Sequence, residues 1–172
     1  MVRAMTMEAV QRTEQKVDRA FRGGAVSMGA GMSISTRPGY LPQVPSTDNS
    51  VLLHAASVAA PQLTAVEVAP DAHSGGSTDV GDVQHLMPVL VFRTGGYSGS
   101  THAVDFAVVD EDLYYILTAK MFALSTYRLL KSGAAEARRM VDAYHPRLTK
   151  QQYIDYMEGM IRDEVLETVQ AE

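Results

Sequence analysis

The segment HSGGSTDVGDVQHLMP, residues 73–88, gathers His73, His85, Asp79, Asp82 and the Ser77-Thr78 pair into one short polar stretch. Imidazole and carboxylate are ligands for zinc and the common carriers of protons near neutral pH. Three assignments are therefore open: a catalytic loop, a metal site, or a polar turn between core elements. As a functional loop, Gly-Gly-Ser-Thr brings backbone N–H groups close to a ligand anion while Asp79 fixes the loop. As a turn, Gly75, Gly76 and Gly81 allow unusual backbone angles, and Asp79 and Asp82 bond nearby amides. On these residues alone the two readings stand level.

The other chemistry-bearing residues narrow the field. The histidines are His54, His73, His85, His102 and His145, and no two have the H-E-x-x-H spacing that sets two ligands on one helical face. A closed zinc site would need long-range convergence. His102 stands out by context: it ends the Gly/Ser-rich loop RTGGYSGSTHAVDF, ahead of a long helical segment. Loops at strand ends are where α/β proteins keep their sites. GGYSGS misses the G-x-S-x-G order of a serine elbow by one residue. GAVSMGAGMS has glycines but no GK[ST], which excludes a P-loop. The absence of cysteine excludes disulfides, thiolate metal sites and a Cys nucleophile.

At 172 residues the chain is long enough for a domain with a real core, and 46% hydrophobic against 20% charged residues is a globular composition. A formal net charge of −5, without a Lys/Arg stripe, argues against nucleic-acid binding. No run approaches the length of a transmembrane helix, and MVRAMTMEAVQRTEQK has charges where a secretory apolar region belongs. The expectation is a soluble, cytoplasmic protein.

The elements that must hold these residues follow from periodicity. Residues 8–22 read as a helix with Val10, Val17 and Phe21 on one face and i,i+4 pairs Glu8–Arg12 and Asp18–Arg22, able to continue through Gly23-Gly24 at some cost. Met32 and Ile34 alternate with serines, as in a half-buried strand ending at Arg37-Pro38-Gly39. YLPQVPSTDNS is a loop and the best domain boundary. Ser46, Asp48 or Asn49 caps a helix over SVLLHAASVAA. LTAVEVA (63–69) alternates like a strand, and PVLVF (88–92) suits a strand buried on both faces. Asp110, Glu111 and Asp112 open the strongest helix, which should be largely buried and should end near Leu130 with Lys131 and Gly133. A short helix over 134–144 ends at His145-Pro146. Thr149 and Gln152 form a capping box for a last helix carrying Ile154, Met157, Ile161 and Val165. Strands followed by helices point to an α/β layered architecture.

The order of these pieces carries a resemblance. VQRTEQKVDRAFRGGAVSMGAGMSISTRPGYLP, then GGSTDVGDVQHLMP, then GSTHAVDF before a long helix, resembles the zinc-dependent amidohydrolases of the aminoacylase and carboxypeptidase-like metallopeptidase family. The branch most similar is the aminobenzoyl-glutamate hydrolase and dipeptidase-like one. The likeness runs from about residue 10 to 130, and the tail YHPRLTKQQYIDYM is similar to the ends of such proteins. GSTDVGDVQHLMP is its most specific part.

The resemblance implies the C-terminal part of a mixed-sheet catalytic domain over 40–172 with a helical tail. Residues 1–39 would be the last helix and strand of an inserted α+β lid or dimerisation domain. It implies His102 as a metal ligand, for zinc or another divalent ion such as manganese. Ser77, Thr78 and Asp79 would line the substrate cleft, with Asp82 and His85 organising the loop. HAVDF stands where the family often has H-S-P-E-F: Asp105 and Phe106 keep the acid and the aromatic, while Ala103 and Val104 replace serine and proline. The reaction implied is hydrolysis of the amide of an N-acyl amino acid or dipeptide. The family's other metal ligands and its glutamate base precede the lid and have no counterpart here, so no catalytic residue is assigned in this chain and the chain alone should be inactive. Homo-oligomerisation or pairing with a separate N-terminal half is the implied partnership. The competing expectation is a non-catalytic interaction domain, since a truncated sheet leaves an open edge and an apolar face.

Overall fold

The computed structural model of the chain describes residues 1–67 and 76–167. His73 and Gly75 of the polar segment lie outside them, as does the end of LTAVEVA. In chain order the elements are α1 (Met7–Ser27), β1 (Met32–Thr36), α2 (Ser50–Ala59), α3 (Val80–Gln84), β2 (Tyr97–Ser98) and β3 (Ala107–Val108). A π-helical turn (Asp112–Ile116), α4 (Leu117–Ala143), α5 (Lys150–Gly159) and β4 (Arg162–Leu166) follow. This is a mixed fold of helices and small sheets; the two sheets among the described residues are each two-stranded and antiparallel. Two compact units divide it: Met1–Val44 with His73–Met87 and Pro146–Glu172, and Pro45–Ala72 with Pro88–His145.

In the first unit α1 begins at the Thr6 cap, whose hydroxyl accepts the Ala9 amide, and runs through Gly23-Gly24 to Ser27. Beyond β1, the Thr149–Gln152 capping box opens α5 as expected. The last helix does not reach Val165. It stops at Gly159; Ile161 lies just ahead of β4, and Val165 lies within β4, which pairs with β1, Met32 opposite Leu166 and Thr36 opposite Arg162. The alternation of RDEVL decides this: Arg162, Glu164 and Leu166 are half-buried, whereas Val165 is 79% exposed.

The two charges on the inner face of β4 meet the i,i+4 row Glu14, Asp18 and Arg22 of α1. Arg162 pairs with Glu14 and Asp18 at 2.5 Å each, and Arg22 pairs with Glu164. The intrahelical Asp18–Arg22 pair expected from spacing is thus replaced by strand partners. Val10 and Val17 of the expected apolar face are half-buried beside Glu14 and Asp18, whereas Phe21, on the same face, is 64% exposed.

In the second unit Leu52 and Ala55 of α2 and Met121 of α4 form the core, with Leu90, Phe92, Leu117 and Leu124 packed against it. Asn49 precedes α2, but Asp48 supplies the side-chain bond, accepting the Ser50 amide at 3.0 Å. Asp110 Oδ1 caps the long helical segment by accepting the Leu113 amide at 3.0 Å. The helix breaks over Lys131–Ala134, where Ser132, Gly133 and Ala134 have positive φ, which agrees with the predicted end near Leu130 and the short helix after it.

Three expectations for this unit are corrected. The long helix is not largely buried: Phe122, Tyr127 and Leu130 are 62%, 67% and 62% exposed, because α2 covers only the Met121 side. Residues 63–67 form no strand; a turn from Ala60 to Leu63 follows α2, and Val66 is exposed. PVLVF has no sheet partner among the described residues, so an apolar run that fits a doubly covered strand is half-covered instead. No helix among the described residues is long and apolar enough to cross a membrane.

Candidate functional site

Ser77, Thr78 and Asp79 lie together at the head of α3 in the first unit. Thr78 Oγ1 donates to Asp79 Oδ1 at 3.1 Å, and the Thr78 carbonyl accepts the Gly81 amide at 3.1 Å. Ser77 and Asp79 are exposed and Thr78 is half-buried, so two of the three side chains are free to meet a solute.

The residues that follow anchor this segment. Asp82 Oδ1 accepts the Leu41 amide at 2.8 Å and Gln84 Oε1 accepts the Val44 amide at 2.9 Å. His85, 2% exposed, binds the Gly81 carbonyl through Nδ1 at 2.9 Å, and its own carbonyl accepts the amides of Arg147 and Leu148. An imidazole buried in this way is a brace, with Nδ1 acting as donor when the ring is neutral. Gly81 is required by close approach: a Cβ there would stand 2.1 Å from the Leu41 carbonyl oxygen. Burial raises the carboxyl of Asp82 above its ordinary range, against the Leu41 hydrogen bond that lowers it.

His102 belongs to the second unit, on the loop that joins β2 to β3. The loop is closed by short contacts: the Ala103 amide bonds the Ser100 carbonyl at 3.1 Å, the Phe106 amide bonds the Ala103 carbonyl at 3.2 Å, and Asp105 Oδ1 accepts the Ser100 amide at 3.4 Å. Gly99, at φ +77, lets the chain pass the Asp105 carbonyl, where a Cβ would be 2.2 Å away. His102 itself has φ +67, is exposed, and makes no hydrogen bond among the described residues. A non-glycine residue in this region is uncommon, although histidine enters it more readily than most. The loop therefore holds an imidazole outward with both ring nitrogens free.

Beside this hairpin is an open groove of about 610 Å³ lined chiefly by Phe92, Tyr97, Phe106, Tyr114, Tyr115 and Phe122, with Arg93 and Thr101 at its walls. Tyr97 stacks on Phe106 at 5.4 Å between centroids, and Tyr114 meets Phe106 edge-on at 6.1 Å. Thr94 and Thr118 share a hydroxyl–hydroxyl bond of 2.6 Å. Reading the sequence for titratable residues passed over this aromatic wall; the clustered tyrosines of GGYSGS and DLYYI are its only local signal.

Among the described residues no three His, Asp or Glu side chains converge to hold a metal ion. A catalytic zinc takes three protein ligands and an open position. His102 offers one donor, and Asp105 beside it is engaged by the Ser100 amide, so these residues do not by themselves fit a zinc centre. No reaction step follows from them alone. No protein-family model matches this chain, and no curated protein or solved structure matches it either.

Proposed function

We propose that the chain is one portion of a metal-dependent amidohydrolase that cleaves the amide bond of N-acyl amino acids or dipeptides. On this reading it is the C-terminal part of a mixed-sheet catalytic domain with the end of a lid ahead of it. His102 supplies one metal ligand, and Ser77, Thr78 and Asp79 form a wall of the substrate cleft. The further ligands for zinc or manganese and the glutamate base come from outside these 172 residues. The observation that carries the reading is His102: an exposed imidazole with both nitrogens free, held at φ +67 by a loop closed around it. Backbone strain of this kind is kept where a side chain has to be aimed. The ordered resemblance of GGSTDVGDVQHLMP and GSTHAVDF to the family pattern suggests the reaction class.

The test has two arms. Alone, the chain should neither retain stoichiometric zinc through dialysis nor hydrolyse N-acyl amino acids. Joined to a segment bearing an H-x-D motif, encoded ahead of Met1 or separately, it should gain zinc-dependent hydrolysis that His102→Ala abolishes. Tight zinc and turnover by the chain alone, or a joined enzyme indifferent to His102→Ala, would refute the reading.

A further inference from the structure

Three consecutive residues inside α4, Ser132, Gly133 and Ala134, have φ of +53, +68 and +60, and Lys131 before them is extended. Glycine enters this left-handed region freely. A residue with a Cβ does not: each one disfavours such a form about tenfold, and left-handed residues normally occur singly. The side chains around the break suit a helix. Ala134, Ala135, Glu136, Ala137, Arg138 and Arg139 are good helix formers, and only Gly133 is a poor one. Apolar spacing also runs through the break as if the helix were whole. Tyr127, Leu130, Ala134, Ala137 and Val141 follow steps of three and four residues, which is one helical face. Tyr127, Leu130 and Val141 are exposed, so the bent form makes no use of this row.

What holds the bend lies beyond it. Arg139 Nη2 bonds Asp48 Oδ2 at 2.7 Å and Glu136 Oε1 at 2.8 Å, Arg138 Nη2 donates to the Gly133 carbonyl, and Met140 is buried. The Arg139–Asp48 pair is well exposed, so it favours the bent form by no more than about fivefold. Burial of Met140 contributes about tenfold or more. These gains match the strain at Ser132 and Ala134 in size, which leaves the two opposed effects close to balance. The bent form also leaves Arg128, one turn before the break, with a buried Nε that has no acceptor among the described residues.

We infer that α4 is a two-state element, bent as described or continuous from Leu117 to Ala143, with the Arg139–Asp48 pair as its latch. Asp48 stands just ahead of α2, whereas Arg139 lies beyond the break, so straightening carries the guanidinium off the carboxylate. The same movement withdraws Met140 from its cover and relieves Ser132 and Ala134. It also brings Tyr127 and Leu130 into line with Ala134, Ala137 and Val141. The latch therefore sets how often the second unit presents one unbroken apolar stripe.

Nuclear magnetic resonance of the full chain tests this. The backbone chemical shifts of Ser132 and Ala134 distinguish left-handed from right-handed φ and give the population average, and relaxation dispersion detects exchange between the forms. Gly133→Ala should move the balance toward the continuous helix by about tenfold or more, since alanine is strained at φ +68 and is the better helix former. Crowding does not enter, because the nearest atom to the added Cβ is the flexible Arg138 Nη2 at 3.4 Å. Arg139→Gln keeps helix propensity, opens the latch, and should move Ser132 the same way by up to about fivefold. Ala134→Gly relieves the bent form and should move Ser132 the opposite way. Unchanged signals from Leu52 and Ala55 of the core show that a variant has folded. If Gly133→Ala disturbs them, the opposite signs of Arg139→Gln and Ala134→Gly decide. Left-handed shifts that are identical in every variant and free of exchange overturn the inference. So do shifts of Ser132 in one direction for both Arg139→Gln and Ala134→Gly. The element is independent of the proposed amidohydrolase reading and is tested without any activity measurement.

Discussion

The Leu41 amide donates to Asp82 Oδ1 at 2.8 Å, so a carboxylate of α3 holds the loop that follows β1 at its buried residue, Leu41. Leu41 is 5% exposed, which leaves its N–H little access to water once that acceptor is removed. Asp82→Ala should therefore destabilise the first unit by about 1–3 kcal/mol, the cost of an unsatisfied buried donor. Asp82→Asn keeps an acceptor and should cost much less. The pH dependence has a defined sign. Burial raises the folded carboxyl above 3.8, so the folded state binds more protons than the unfolded one in the window upward from 3.8. Stability contributed by Asp82 accordingly falls as pH rises through that window and is fully present below it. Denaturant titrations of wild type and Asp82→Asn across the window should differ in slope; parallel curves would contradict this account.

Gly81 makes a sharper prediction. Its position admits no Cβ, because the nearest atom is the Leu41 carbonyl oxygen at 2.1 Å, a main-chain atom that cannot rotate away. Gly81→Ala must push α3 off the Leu41 loop, breaking the Asp82 and Gln84 bonds together. A loss of about 2–4 kcal/mol is expected, in the range of severe overpacking combined with a broken buried hydrogen bond. Gly23→Ala, where nothing stands within 4 Å, is the control and should be neutral or slightly stabilising. Equal thermal stability of the two variants would remove the argument.

Arg162 is the hub of the first unit. Glu14 and Asp18, whose side chains are only 14% and 15% exposed, both depend on it, and Glu164 shares its Nε at 2.9 Å. Arg162→Ala leaves two shielded carboxylates one turn apart without a counter-ion. After allowance for solvent screening, the expected loss is about 1–3 kcal/mol. Arg162→Lys should recover only part, since an ammonium cannot fork between two carboxylates. A further Glu14→Gln substitution should cost less in the Arg162→Ala background than in wild type. Additive effects in that double-mutant cycle would rule out coupling.

In the second unit acid acts with the opposite sign. Asp48 is held down at about 2, chiefly by its hydrogen bonds with Ser50 and then by Arg139. Its stabilisation is present above 3.8 and is lost as pH falls from there toward about 2. The side chain is 38% exposed, so screening limits the effect to about 0.5–1 kcal/mol. Asp48→Asn should flatten the acid limb of a melting curve followed by a probe in that unit, for which the tyrosines near α4 serve.

Local rules made much of the fold legible. The Thr149–Gln152 box, the acids at 110–112 and the break after Leu130 depend on neighbours in sequence, and those elements came out where propensity and capping put them. The failures have a common cause. Whether PVLVF joins a ladder and whether RDEVL continues a helix both depend on what lies across from them. RDEVL, three charged residues followed by two apolar ones, has no period-two hydropathy pattern, so without its partner β1 nothing in it separates a strand from a helix tail. The candidate site divides in the same way. His102 and Asp79 are exposed, as polar residues of loops commonly are, whereas the left-handed backbone at His102 and the aromatic groove beside it arise from contacts no spacing rule encodes.

That backbone gives a test separating function from stability at one position. His102 sits at φ +67, a region glycine enters without the steric penalty a Cβ brings. If the loop were there only to turn the chain, glycine would be the better residue. His102→Gly should therefore stabilise the second unit by about 0.5–1 kcal/mol, the relief of strain reduced by the greater freedom of the unfolded chain. His102→Ala keeps the Cβ and should bring no such gain, so the difference between the two isolates the backbone term. Both remove the imidazole, and on the proposed function both should abolish metal retention in the joined protein to the same degree despite their different stabilities. A glycine variant less stable than the alanine one would show that the loop relaxes around His102 and stores no strain. Metal retention that tracks stability instead of the imidazole would remove His102 from the ligand set.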